Sequence, residues 1–340
     1  MDDLRSSLAR AGFRDFKIER RAARILVRAV SDPDRAAAVL GKVFGVAYAA
    51  PVEIVPGNID DVLQAVVRNA GNHLGPGGSF AIRARHSKIS PLPRREIEIR
   101  GGAEILRLLA GKGVIVNLEK PDVLISVDTA DDLALIYHSR VAGPGGLPLS
   151  SRWKMIVVVD SGILSILAAV AMMRRGCLVE PFIPVSTSSS RFAKGSQLGL
   201  VKVLGDLVPR PQYFAHVLDL DAITKDETSP ISLEGVRRMA VQYAAGRFRG
   251  VIFSDISGNI SKVSENYRFP VFYPLLGLEA EELNSLREFV GASKVALSRQ
   301  LEVQVESLNN EGGLVNEFVV DNVKKLPLGL VAEIHDDITC

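Results

Sequence analysis

Cysteine is scarce in this 340-residue chain. There are two, Cys177 and Cys340, with no CxxC between them and no spacing that a metal site uses. Cys177 stands between Gly176 and Leu178 at the start of an apolar run, where a small core residue is expected rather than a nucleophile. The five histidines show no HxH or HxxxH spacing, so no metal site is expected. Aromatic residues make up 6% of the chain and Trp153 is the single tryptophan, which argues against a base-stacking platform. Net charge is only +2, so any nucleic-acid surface must be a local patch. No apolar run reaches membrane-spanning length: residues 163–173 are too short and close on Arg174–Arg175. The charged start MDDLRSSLARAGF is unlike a secretory signal, and a soluble, cytoplasmic protein is expected.

Apolar residues, by contrast, make up 47%, enough for two or three cores at this length. The pattern of residues 154–180, KMIVVVDSGILSILAAVAMMRRGCLVE, organises the rest. Residues 155–159 are an unbroken apolar run, as in a strand buried on both faces. Asp160, Ser161 and Gly162 break it. Ile163, Ile166, Leu167, Val170 and Met173 then recur at helical spacing, and a second strand-like run follows from 178. Strand, tight polar turn, helix and strand make a βαβ unit, and its turn lies where such folds bind phosphate. An ordinary Ser/Gly turn without a ligand fits the same residue types.

Before this unit, residues 1–54 read as helix, two short strands, helix and strand (46–52). That is a ferredoxin-like order lacking its first strand. Residues 79–86 alternate, with Phe80, Ile82 and Ala84 on one face and Arg83 and Arg85 on the other. Residues 94–109 read as a helix with Ile97, Gly101, Ile105 and Leu108 on one stripe. Gly101–Gly102 inside it predict a close backbone approach. Between 79 and 120 there are nine Lys/Arg and four Glu, a local excess of five positive charges. Arg83, Arg85, Lys88, Arg94 and Arg95 form its dense part, with Lys120 further on. Strand, basic loop and helix start are expected to converge on one phosphate-binding surface. A solvated charged face is the bland alternative. Residues 143–148 (GPGGLP) read as a linker. Beyond 183 the chain remains α/β, with a helix over 232–245 capped by Ser232 and a polar turn at 255–259. The last stretch, from 302, carries eight acidic residues against Lys324 and Lys325, and reads as an extension that packs a few strands or covers a sheet edge.

The basic segment, NLEKPDVLISVD (117–128), LALIYHSRVAGPGGLP (133–148) and the strand–helix ending in MMRRG together resemble the tRNA 4-thiouridine synthetase family. The resemblance runs from residue 1 to about 290. It implies a multidomain α/β and α+β fold: a ferredoxin-like domain (1–54), a THUMP domain (55–142), a linker (143–150), a PP-loop domain of the adenine nucleotide alpha hydrolase-like kind (151–300), and an acidic extension (301–340). It also implies binding of tRNA at the acceptor stem through Arg83, Arg85, Lys88, Arg94, Arg95 and Lys120. Ser161, Gly162, Ser165 and Asp255 are the positions that would face ATP phosphates. The family's SGGxDS loop is degenerate here: only Gly162 and Ser165 match in place, and Leu164 replaces the acidic residue. Ser254–Asp255 and Tyr273 stand in altered versions of two further family segments, Tyr273 at an arginine position. No persulfide-bearing cysteine is present in the later part of the domain, so no catalytic residue is assigned and neither ATP nor Mg²⁺ is expected as a cofactor. Asp160 is expected to bring negative charge towards the phosphates. Two other functions stay open: an active ATP-dependent sulfurtransferase taking sulfur from another protein, and a non-catalytic adaptor for a partner enzyme. A homodimer is also left open.

Overall fold

The computed structural model describes residues 1–21, 24–28, 30–86, 93–130, 132–160, 162–186, 194–208, 210, 213–223, 232–256, 268–291 and 323–327. Ser161, Lys88, the 257–259 turn and Cys340 lie outside them. The chain divides into two units, residues 1–41 with 48–142, and 42–47 with 143–340.

The first unit opens with α1 (Asp2–Arg10), β1 (Lys17–Arg21), β2 (Arg24–Arg28) and α2 (Pro33–Leu40). Asp32 caps α2 by accepting the Arg35 N–H, and Pro33 supplies the fixed first-turn φ. β1 and β2 form a two-stranded antiparallel hairpin. The strand expected at 46–52 does not join it. Its short counterpart, β3 (Tyr48–Ala49), pairs later in the unit with β9 (Val141–Ala142). A ladder partner far along the chain satisfies those backbone groups, which local patterning could not reveal.

Next come β4 (Glu53–Pro56), α3 (Ile59–His73), β5 (Ser79–His86), α4 (Arg94–Leu108), β6 (Ile115–Val116), β7 (Val123–Ala130) and β8 (Leu133–Tyr137), ahead of β9. They build a five-stranded sheet in the order β4-β8-β7-β5-β6. Phe80, Ile82 and Ala84 turn to α3 and α4 and share their core with Val62, Val66, Ile97 and Ile105. Gly101 is where α4 meets the sheet: a Cβ there would come within 2.9 Å of Ile82 Cδ1, whereas Gly102 faces open space. Leu108, expected on the buried stripe, is exposed.

The second unit carries β10 (Ser150–Val158), α5 (Ile163–Arg174), β11 (Cys177–Val185), α6 (Lys194–Leu207), β12 (Phe214–Asp219), α7 (Leu233–Ala244), β13 (Val251–Ile252), β14 (Val271–Phe272), α8 (Ala280–Val290) and β15 (Val323–Pro327). The sheet order is β14-β13-β10-β11-β12-β15. The first five strands are parallel, and β15 closes the far edge of β12 antiparallel. This places part of the acidic extension on a sheet edge. Helix α5 packs on one face with α6 and α8, and α7 covers the other. The sheet is therefore doubly wound, and its order reverses between β10 and β13.

One local expectation changes here. Helix α5 is buried from Leu164 to Met173 on every side, not on one stripe, because it lies between the sheet, α6 and α8. The 143–148 segment packs against its neighbours: the Leu147 N–H donates to the Arg174 carbonyl, and a Cβ on Gly146 (φ +69°) would overlap that oxygen. Cys177 is 6% exposed and burial pushes its thiol pKa up, so less of it is thiolate at neutral pH. In the folded chain Cys177 is expected to escape iodoacetamide in a peptide map and to label fully in urea. Labelling at equal rates in both would contradict the burial.

Candidate functional site

In the first unit, the pleat sets the basic side chains. Arg83 pairs across the sheet with Ser126, and Arg85 with Asp128. Both arginines stand exposed on the face that α3 and α4 leave uncovered. Arg94 and Arg95 open α4 and are exposed too, but they belong to the helical layer. Pro93 gives this helix no side-chain cap, and the N–H groups of Arg94 and Arg95 have no intrahelical partner. The two pairs thus flank the carboxyl end of β5 from opposite faces. Lys120 is elsewhere: Asp122, two residues on, accepts from the Ser79 N–H and hydroxyl at 2.8 and 2.6 Å and ties that loop to the amino end of β5. Six residues of strand separate the two ends, about 20 Å.

Two of the nine local positive charges are paired within the helix. Arg100 pairs with Glu96 and Arg107 with Glu104, both at 2.7 Å. Glu98 accepts the Ala84 N–H at 2.9 Å and fastens α4 to the strand. Arg83, Arg85, Arg94 and Arg95 form no salt bridge among the described residues. The open face of the sheet also receives the N-terminal hairpin, through Arg24 at 3.0 Å from the buried carboxylate of Asp128. Tyr137 donates to the same oxygen of Asp128.

In the second unit, the strand reversal puts the ends of β10 and β13 side by side. Asp160 follows β10, and Ser254 and Asp255 follow β13. The Asp160 side chain is fully buried and turned into the protein. Arg237 of α7 donates to its Oδ2 through Nε and Nη2 at 3.3 and 3.1 Å. Ser254 Oγ donates to Oδ1 at 2.9 Å, and Ser165 Oγ accepts the Asp160 N–H at 3.2 Å. Arg237 also lies 2.9 Å from Asp255 and stacks 4.7 Å from the Phe253 ring centre. Burial opposes the Arg237 charge, but the carboxylates of Asp160 and Asp255 outweigh it and hold the guanidinium above its ordinary pKa. The Tyr273 hydroxyl, nearby, is buried without a hydrogen-bond partner among the described residues, and burial raises its pKa.

The negative charge expected to face a ligand is thus internal and compensated by Arg237. Gly162 takes φ +60° with open space beyond its Cα. Leu164 packs in the core, as a residue with no ligand to hold would. Ser165 is wholly buried against Asp160 rather than presented to solvent. Asp255, the fourth position named from sequence, is 28% exposed in its side chain and bound to Arg237. Among the described residues no group of three or more His, Cys, Asp or Glu could hold a metal ion, and no helix is long and apolar enough to cross a membrane. Arg237 was missed by sequence reading. The signal was present: Leu233, Arg237, Ala240 and Ala244 form one stripe of α7, and an arginine in an apolar stripe marks a buried ion pair.

These units define a class: an α+β domain with an exposed arginine surface, joined to a doubly wound α/β domain with its crevice at the strand reversal. Residues 56–139 match the THUMP domain model. The chain is similar to a protein of Methanobrevibacter smithii named probable tRNA sulfurtransferase, 28% identical over 287 residues that cover 76% of this chain and 73% of that one. A protein of the same name from Thermoanaerobacter pseudethanolicus is 27% identical over 306 residues, 85% of this chain and 79% of that one. Among solved structures, a 4-thiouridine synthetase in complex with RNA and bound ATP shares the fold at TM-score 0.66 and 22% identity, covering 85% of this chain and 79% of that one. A Pyrococcus horikoshii protein does so at TM-score 0.64 and 24% identity, covering 86% and 93%.

Proposed function

We propose that this chain binds tRNA through its THUMP domain and that its α/β domain does not adenylate the RNA unaided. The observation that carries the first half is the group of four exposed arginines around the carboxyl end of β5 in that domain. Guanidinium groups and free helix N–H groups suit phosphates, and phosphate contacts to a structured RNA read shape more than sequence. The similarity to proteins named tRNA sulfurtransferase points to tRNA as the RNA.

The second half is supported by the crevice. A carboxylate there would normally serve a metal-bridged triphosphate. Asp160 instead neutralises Arg237 inside the protein, and Leu164 supplies no oxygen. The described residues of the crevice do not fit an ATP–Mg²⁺ complex.

Calorimetry on the intact chain tests both halves. Bulk tRNA is expected to bind with strong salt dependence, and ATP with Mg²⁺ to give no binding heat. Absence of tRNA binding at low salt would refute the first half. Micromolar ATP binding, or pyrophosphate release in the presence of tRNA, would refute the second and favour an ATP-dependent sulfurtransferase supplied with sulfur by another protein.

A further inference from the structure

The only tryptophan in the chain is not in a core. Trp153 is 59% exposed, near the start of β10. It is there because the strand bulges: Ser150 pairs with Cys177, yet Lys154 already pairs with Leu178, so residues 151–153 have no counterparts on β11. A bulge re-aims side chains, and this one presents Arg152 and Trp153 to solvent.

The topology gathers further charge around it. β10, β11, β12 and β13 are parallel, so their amino ends share one edge of the sheet. Arg152 lies at the first of these ends, and Arg175, Arg210 and Arg249 just precede the other three. Backbone and side-chain bonds join them. The Ser150 N–H donates to the Gly176 carbonyl at 2.9 Å, and the Arg249 N–H to the Lys154 carbonyl at 2.8 Å. Arg210 donates to the Leu149 carbonyl at 2.7 Å and to the Ser151 hydroxyl at 3.3 Å. Among the described residues of this edge, 147–154, 173–179, 208, 210, 213–214, 245–250 and Pro327 opposite Phe214, there is no Asp or Glu. Lys154 is neutralised beneath it by the buried Glu180 at 2.8 Å. Arg152, Arg175 and Arg249 are exposed.

We propose that this edge binds an unpaired nucleotide of an RNA, Trp153 stacking on the base and the arginines taking the flanking phosphates. The proposal rests on the tRNA-binding reading above. One tryptophan cannot make an extended stacking platform, but it suits a single splayed-out base, because every base offers a π-face. An exposed indole beside the exposed guanidinium groups of Arg152, Arg175 and Arg249 is complementary to a ligand that is flat and apolar in one part and anionic in the next. Duplex RNA supplies phosphates but keeps its bases stacked inside, so a single-stranded stretch is the better fit. Seven residues of strand separate Trp153 from Asp160, about 23 Å. The edge is therefore a separate surface.

Because Trp153 is the only indole, its emission reports this surface alone. Titrating the intact chain with bulk tRNA and with oligouridylate is expected to quench that emission. Trp153→Ala should weaken oligouridylate binding about tenfold by anisotropy of a labelled oligonucleotide, and Trp153→Phe should restore most of it. Arg152→Ala with Arg249→Ala should flatten the oligouridylate salt slope by about 1.4, at roughly 0.7 per phosphate on a single strand. If tRNA binds by anisotropy while the emission stays fixed and Trp153→Ala loses nothing, the proposal is overturned and the THUMP reading stands. If tRNA does not bind at all, both fall. Emission that shifts with phosphatidylglycerol vesicles but not with tRNA would assign the edge to lipid and also overturn the proposal.

Discussion

Replacing Arg237 with alanine is expected to destabilise the second unit by about 3–5 kcal/mol, the cost of leaving a buried charge without its partner. The Asp160 side chain has no exposed surface, and that of Arg237 is 7% exposed. Removing the guanidinium takes from Asp160 the bidentate cation described above and leaves Ser254 and Ser165 among the hydrogen bonds described. Asp255 matters less, because its side chain keeps 28% of its exposure and can be hydrated. The loss should appear as a lower urea midpoint at unchanged m-value. Arg238→Ala provides the control. That residue sits on the same helix but pairs with Glu234 at the surface, 3.3 Å away, and its removal should cost under about 1 kcal/mol. A loss below about 1 kcal/mol for Arg237→Ala as well would mean that the crevice carboxylate is not held as described. Both the inward Asp160 and the assignment of the crevice as unsuited to ATP would then fail together.

Changing Arg83, Arg85, Arg94 and Arg95 together to alanine is expected to lower tRNA affinity by about two to three orders of magnitude at 0.1 M salt. Each phosphate neutralised contributes roughly 0.7–0.9 to the slope of log affinity against log salt, so four contacts contribute about three. The slope should become shallower by that amount, and the two proteins should converge as salt approaches 1 M. All four side chains are exposed, so the fold should survive the change. Arg100 and Arg107 are the internal comparison: they are paired with Glu96 and Glu104, and their removal should leave the slope nearly unchanged. An unaltered slope in the fourfold variant would remove the β5 surface as the tRNA contact. Lys120, tied to the other end of β5, should contribute separately or not at all.

The sequence by itself determined the elements and their kinds. The apolar run before Asp160, the helical spacing after it and the second run fixed a βαβ unit, and β10, α5 and β11 occupy it. Ser232 was legible as the cap of α7, because a short hydroxyl side chain before an apolar period satisfies a first-turn N–H. The alternation of residues 79–86 put Arg83 and Arg85 on a face of their own. The THUMP resemblance was legible too, carried by the segments between 82 and 176. Tertiary structure decided which faces and ends came together. It buried α5 on all sides, paired Tyr48–Ala49 with Val141–Ala142, and set Arg83 and Arg85 across the sheet from α4. It also brought Arg237 to Asp160 across 77 residues of chain, and lined four separate arginines along one sheet edge beside Trp153. Periodicity reports only how a segment meets its own surroundings, one face at a time. A charge pair or a shared edge depends on the order and direction of strands, and that is set by how the whole sheet buries its apolar surface.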